Sequence, residues 1–170
     1  PWRNKPGASL PAGAFAACSP ASPSPSPRSS PPAQRPATPP ISAATELAGV
    51  TVYVVGEPDA LRDVLDGLEV TVLPDEGDGQ LNRALSRAAQ QVARPELGTA
   101  ALLADLPCLR AADLEAALAA GADRRFVADA AGTGTTLLVA PAGTDLDPRF
   151  GPGSAAAHVA SGARPLTEPL

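Results

Sequence analysis

A chain of 170 residues has room for one domain, whose core buries roughly two-thirds of the surface of the unfolded chain. Its apolar content is mostly Ala, Leu and Val, with Trp2, Phe15, Tyr53, Phe126 and Phe150 the only aromatics, so the core must be aliphatic and its helices closely spaced. The net charge of -5 is uneven, because residues 1–40 carry Arg3, Lys5, Arg28 and Arg35 and no acid; the acidic remainder argues against nucleic acid as a partner, since phosphate backbones are held by clustered Lys and Arg.

No apolar run approaches the roughly 20 residues that span a bilayer, and the start lacks a signal-peptide pattern, so no membrane partner is expected and the cytoplasm is the expected location. Cys18 lies in a Pro/Ser context and Cys108 just after an expected strand, which supports neither a disulfide framework nor a metal-ligand spacing. The chain contains no Met and stops after Leu170 without a terminal element, which reads as a fragment incomplete at both ends.

Residues 1–40 hold 12 of the 21 prolines, including the run Ser22-Pro23-Ser24-Pro25-Ser26-Pro27, and are expected to form a disordered tail. A polyproline ligand is one alternative. A reading-frame artefact is the preferred one, because Pro, Ser, Arg and Ala without acids is what GC-rich codons yield out of frame. The domain is expected to cover 41–170. It opens with a helix end at Ala43–Ala48, stopped by Gly49, and a buried strand Val50–Val55. A helix from Asp59 to Asp66 and a strand Val70–Leu73 complete a βαβ unit. After the polar loop PDEGDGQ, Leu81, Ala84, Leu85, Ala88 and Val92 recur at helical spacing.

The strand Thr99–Ala104 ends at Asp105, and the carboxyl ends of parallel strands are where ligands sit. Asp105 is thus the best metal candidate, with a helix-cap or turn role as the alternative. Leu114, Ala117 and Leu118 make the next helix apolar on one side as far as Gly121, and two strands follow at Arg125–Asp129 and Thr136–Ala140. The stretch from Phe126 to Ser154 carries glycines at 132, 134, 151 and 153, the hydroxyls of Thr133, Thr135 and Ser154, and Arg149 between the two clusters. Together they fit a site for a small phosphorylated acid; either cluster alone reads more readily as a turn. Ser154 is placed to cap a short helix running to about Ala160, whose amino end favours an anion. His158, the only histidine, reads as neutral packing or as exposed. No Ser-His-Asp or Cys-His arrangement can be assembled around it.

Ala104-Asp105-Leu106-Pro107, Phe126-Val127-Ala128-Asp129, Gly132-Thr133-Gly134-Thr135 and Arg149-Phe150-Gly151-Pro152-Gly153-Ser154 together resemble the phospholactate/phosphoenolpyruvate guanylyltransferases of deazaflavin-coenzyme biosynthesis. The resemblance covers about Ser42 to Leu170. It implies an α/β, Rossmann-like nucleotidyltransferase fold of the glycosyltransferase-A-like kind, with a mostly parallel central sheet. It also implies transfer of GMP from GTP to phosphoenolpyruvate, with Mg²⁺ as cofactor. Thr135, Gly151 and Ser154 match the positions that bind the acid substrate, Asp105 matches a magnesium-binding aspartate, and Gly79, Leu81 and Asn82 resemble the family's Gly-Leu-Asn segment near the nucleotide, interrupted by Gln80. The family's amino-terminal strand and basic loop are not found before Ile41, and its second metal-binding aspartate would lie beyond Leu170. 2-Phospho-L-lactate as substrate, and an inactive anion-binding remnant, stay open as alternatives.

Overall fold

The computed structural model describes residues 13–18, 39–119 and 121–166. Among them, seven strands form one sheet: β1 (Gly13–Cys18), β2 (Val50–Val55), β3 (Val70–Leu73), β4 (Thr99–Leu103), β5 (Arg125–Ala128), β6 (Thr135–Ala140) and β7 (Arg164–Pro165), in the order β3-β2-β1-β4-β6-β5-β7. β1 to β4 run parallel, β6 is antiparallel to both β4 and β5, and β7 is parallel to β5. The sheet is thus mostly parallel, as expected, with β6 alone reversed.

Helices cover both faces, and the strands show why. In β6, Leu138 and Ala140 enter one core cluster with α3 (Leu81–Val92) and α5 (Ser154–Ala160), while Leu137 and Val139 enter the other with α1 (Pro39–Thr45) and α4 (Ala111–Ala119). Side chains alternate between faces along a strand, so a strand buried on both sides is apolar at most of its positions. Of α3, the expected stripe Ala84, Leu85, Ala88 and Val92 is buried, with Ala89 beside it.

Three differences from the sequence reading have physical causes. The strand Gly13–Cys18 lies inside the segment expected to be disordered and pairs on both sides, with β2 and β4, near the centre of the sheet. That corrects both the start of the ordered body at Ile41 and the expected lack of an amino-terminal strand. A proline count over forty residues hides a six-residue apolar run, and Ala-rich GAFAAC becomes a strand through its two neighbours rather than by propensity. The expectations for residues 1–12 and 19–38, including the frame artefact and the missing basic loop, lie outside the described residues. The expected helix Asp59–Asp66 is only Pro58–Leu61 (α2), followed by turns in which Val64 and Leu68 donate three residues back, yet Leu65 still reaches the core. The third is β7, an edge strand too short for a sequence signal.

Candidate functional site

The carboxyl edge of the parallel strands gathers the segment after β4, the turn between β5 and β6, and the start of β6. Asp105 lies two residues beyond β4, exposed, and among the described residues its carboxylate has no partner. Among the described residues no three His, Cys, Asp or Glu side chains cluster to hold a metal ion. A free carboxylate at this edge fits a hard cation as one oxygen ligand among several, the others coming from phosphate and water.

The first glycine cluster closes on itself. The Asp129 carboxylate accepts the Thr133 amide at 2.9 Å, its main-chain carbonyl accepts from Gly132 at 2.9 Å, and its amide donates to the Gly134 carbonyl at 3.1 Å. Hydrogen bonds from the turn, the largest at Gly134, hold the Asp129 carboxyl below the usual carboxylate range. A Cβ at Gly134 would press on the Asp129 carboxylate, which would have to give way from its place in the turn. The amides of this turn are therefore directed at an internal anion. What the turn delivers is Thr135, buried at the start of β6, with its Oγ1 2.9 Å from His158 Nδ1.

The second cluster is held from outside. Asn82 spends both ends of its side chain on Phe150: Nδ2 donates to the carbonyl at 2.8 Å and Oδ1 accepts the amide at 2.7 Å. The Arg149 amide donates to His158 Nε2 at 3.0 Å, and the Ser154 amide to the Gly151 carbonyl at 3.1 Å. The Ala155 amide donates to the Thr133 carbonyl at 3.1 Å, which joins the two glycine clusters directly. Gly151 has φ +131°, a backbone conformation that L side chains rarely adopt, with open space where a Cβ would stand. Gly153, at φ +72°, is the helix cap that Ser154 was expected to be, and Ser154 is the first residue inside α5. Its hydroxyl caps nothing: the side chain is 2 % exposed and Oγ has no hydrogen-bond partner.

Ser154 and His158 are four residues apart on α5, hence on one face, and both are buried. His158 stands between the rings of Phe126 and Phe150, at centroid distances of 5.5 and 5.4 Å. Burial pushes its pKa down; the Arg124 and Arg149 cations add to this and Asp147 opposes it. Thr135 meets His158, Ser154 lies one turn before His158 on α5, and the Gly151 carbonyl accepts the Ser154 amide. The Arg149 guanidinium, expected to face an anion, instead pairs with Asp147 at 3.2 Å, and Arg124 pairs with the same carboxylate at 3.3 Å. Leu81 starts α3 and packs on the core, while Asn82, expected near a nucleotide, clamps the backbone of Phe150 in the second glycine cluster. Sequence reasoning missed Asp129, His158 and the clamp. An Asx-type signal four residues before Thr133 marks the first, but nothing local marks a pair 68 residues apart.

Solved structures share this architecture and define its class. A 4-diphosphocytidyl-2C-methyl-D-erythritol synthase matches with TM-score 0.61 and 12% identity, over 92% of this chain and 89% of that one. A nucleotidyl transferase from Methanothermobacter thermautotroptrophicus matches at 0.58 and 16%, over 92% and 88%. A Mycobacterium tuberculosis protein solved as a complex with manganese matches at 0.52 and 18%, over 92% and 88%. The fold is that of a nucleotidyltransferase. Closer in sequence are proteins named phosphoenolpyruvate guanylyltransferase, from Thermomonospora curvata (47% identical over 131 residues, 74% of this chain and 58% of that one) and Streptomyces scabiei (48% over 130 residues, 71% and 59%). A third, from Geodermatophilus obscurus, is 48% identical over 130 residues, 75% and 59% of the two chains. The chain is a homologue of these proteins and spans somewhat under 60% of their length while no family model matches it.

Proposed function

We propose that the protein is a guanylyltransferase of the cytoplasm that moves GMP from GTP to phosphoenolpyruvate, a step of deazaflavin-coenzyme biosynthesis. An oxygen of the acid's phosphate attacks the α-phosphorus of GTP, the bond to the β-phosphate breaks, pyrophosphate leaves, and a phosphoanhydride forms. The work of the site is positioning and neutralising charge. Thr135 and Ser154 donate to the acid's charged oxygens, and the backbone at Gly151 approaches it. The Gly79–Asn82 segment meets the nucleotide through its backbone, since the Asn82 side chain is committed to Phe150. Magnesium held by Asp105 together with phosphate oxygens would neutralise the charge that develops on the triphosphate.

The single observation that carries the reading is the Ser154 hydroxyl, buried and without a partner, one helical turn from the His158 that holds Thr135. A buried polar group left unpaired costs roughly 1 to 3 kcal/mol, which an acceptor on a bound ligand would recover. The test is an assay of pyrophosphate release from GTP and Mg²⁺ with phosphoenolpyruvate or 2-phospho-L-lactate. Turnover with the first supports the proposal. Turnover with the second alone changes the acid, and none with either leaves an anion-binding remnant.

A further inference from the structure

Thr135 has one hydroxyl hydrogen, and which way it is offered depends on the ring beside it. A backbone amide can only donate, so His158 Nε2, which receives the Arg149 amide at 3.0 Å, carries no proton. The neutral ring therefore bears its hydrogen on Nδ1, 2.9 Å from Thr135 Oγ1. Thr135 accepts there, and its own hydrogen stays available for a different acceptor. The opposite tautomer would turn this around: Nδ1 would take the Thr135 hydrogen, and Nε2–H would confront the Arg149 amide.

We propose that His158 is a positioning residue of the acid site: locked as the Nδ1–H tautomer by the Arg149 amide, it makes Thr135 a dedicated donor toward the substrate's anionic oxygens. This rests on the reading that Thr135 binds the acid. The same ring fixes both sides of the site, since Thr135 begins β6 and Arg149 opens the loop that leads to Gly151 and Ser154. The charged groups that face it are Arg124 and Arg149, which disfavour a protonated ring, and Asp147, which favours it. With Arg124 and Arg149 both paired to Asp147, the surroundings and the burial of the ring keep it neutral.

Two substitutions separate the two bonds of the ring. In His158→Asn the amide nitrogen stands where Nδ1 was and still donates to Thr135. In His158→Gln the amide oxygen stands where Nε2 was and still accepts from Arg149, but the donor to Thr135 is gone. Calorimetric titration of phosphoenolpyruvate into the chain is expected to give a dissociation constant about tenfold higher for His158→Gln, near 1.4 kcal/mol, and a clearly smaller rise for His158→Asn, which keeps the donor to Thr135 and loses only the acceptor for Arg149, with GTP affinity unchanged in both. Equal effects of the two, with equal melting temperatures, would assign His158 to packing alone and overturn the proposal. Thr135→Val is the control: if it binds the acid like the parent, the site reading falls and this inference with it. If it binds more weakly while both His158 variants match the parent, this inference alone falls. Because the chain has one histidine, its imidazole ¹⁵N resonances need no assignment. They should show a protonated Nδ1 and a bare Nε2 in the neutral ring, and a protonated Nε2 in that ring would contradict the proposal whatever the variants do.

Discussion

The two glycine clusters look alike in sequence and do opposite things in the fold. Gly132-Thr133-Gly134 wraps around the carboxylate of Asp129, so its amides serve an anion that the chain supplies itself. Arg149 to Ser154 has its backbone fixed by Asn82 and His158, and leaves one buried hydroxyl unserved. Glycine and hydroxyl content does not distinguish a turn from a binding loop; the destination of each donor does. The first cluster is the buttress, the second the proposed receptor, and the Ala155 amide on the Thr133 carbonyl ties them together.

The largest expected break in that comparison is Gly151→Val. The φ of +131° is strained for any residue with a Cβ, and most for a β-branched one, so a loss of about 1 to 3 kcal/mol in stability is expected together with loss of acid binding. Denaturant melts and acid titration check both; an unchanged melt would show that the loop adapts freely. Next comes Asn82→Ala, which strands the amide and carbonyl of Phe150 and should cost about 2 kcal/mol. It should weaken the acid more than GTP. If GTP suffers instead, Asn82 reads the nucleotide and the clamp is incidental.

Smaller effects come from pH. His158 is held below its ordinary value of 6.5 in the fold, so its contribution to stability is complete above 6.5 and is lost as pH falls from there through the folded value. Asp129, held below 3.8, contributes above 3.8 and loses this as pH falls through its own lower value. Melting temperatures across pH 8 to about 3 should therefore decline in two windows. His158→Asn should remove the upper one and Asp129→Asn the lower. A decline in the upper window that survives His158→Asn would assign it to another group.

Much of the frame was readable from periodicity. The α3 stripe, and the mostly apolar runs of β2, β4 and β6, mark an amphipathic helix and strands largely covered on both faces. The roles within the site were not readable. Asp129 looked like a strand end, Arg149 like a free cation and Asn82 like a nucleotide contact, because each is defined by a partner that the fold selects. β1 was missed for the related reason that Gly13–Cys18 owes its conformation to two neighbouring strands.

The central claim, that the second cluster is the receptor for the acid, is tested most directly by phosphoenolpyruvate titrated into the parent chain and into Ser154→Ala. A hydroxyl bond to a charged oxygen contributes roughly 1.5 to 3 kcal/mol, so the variant should bind the acid about one to two orders of magnitude more weakly. It should keep its GTP affinity, and it should melt no lower than the parent, because the hydroxyl it loses has no partner in the free protein. Equal affinity for the acid in the two proteins, or a loss confined to GTP, would contradict the account.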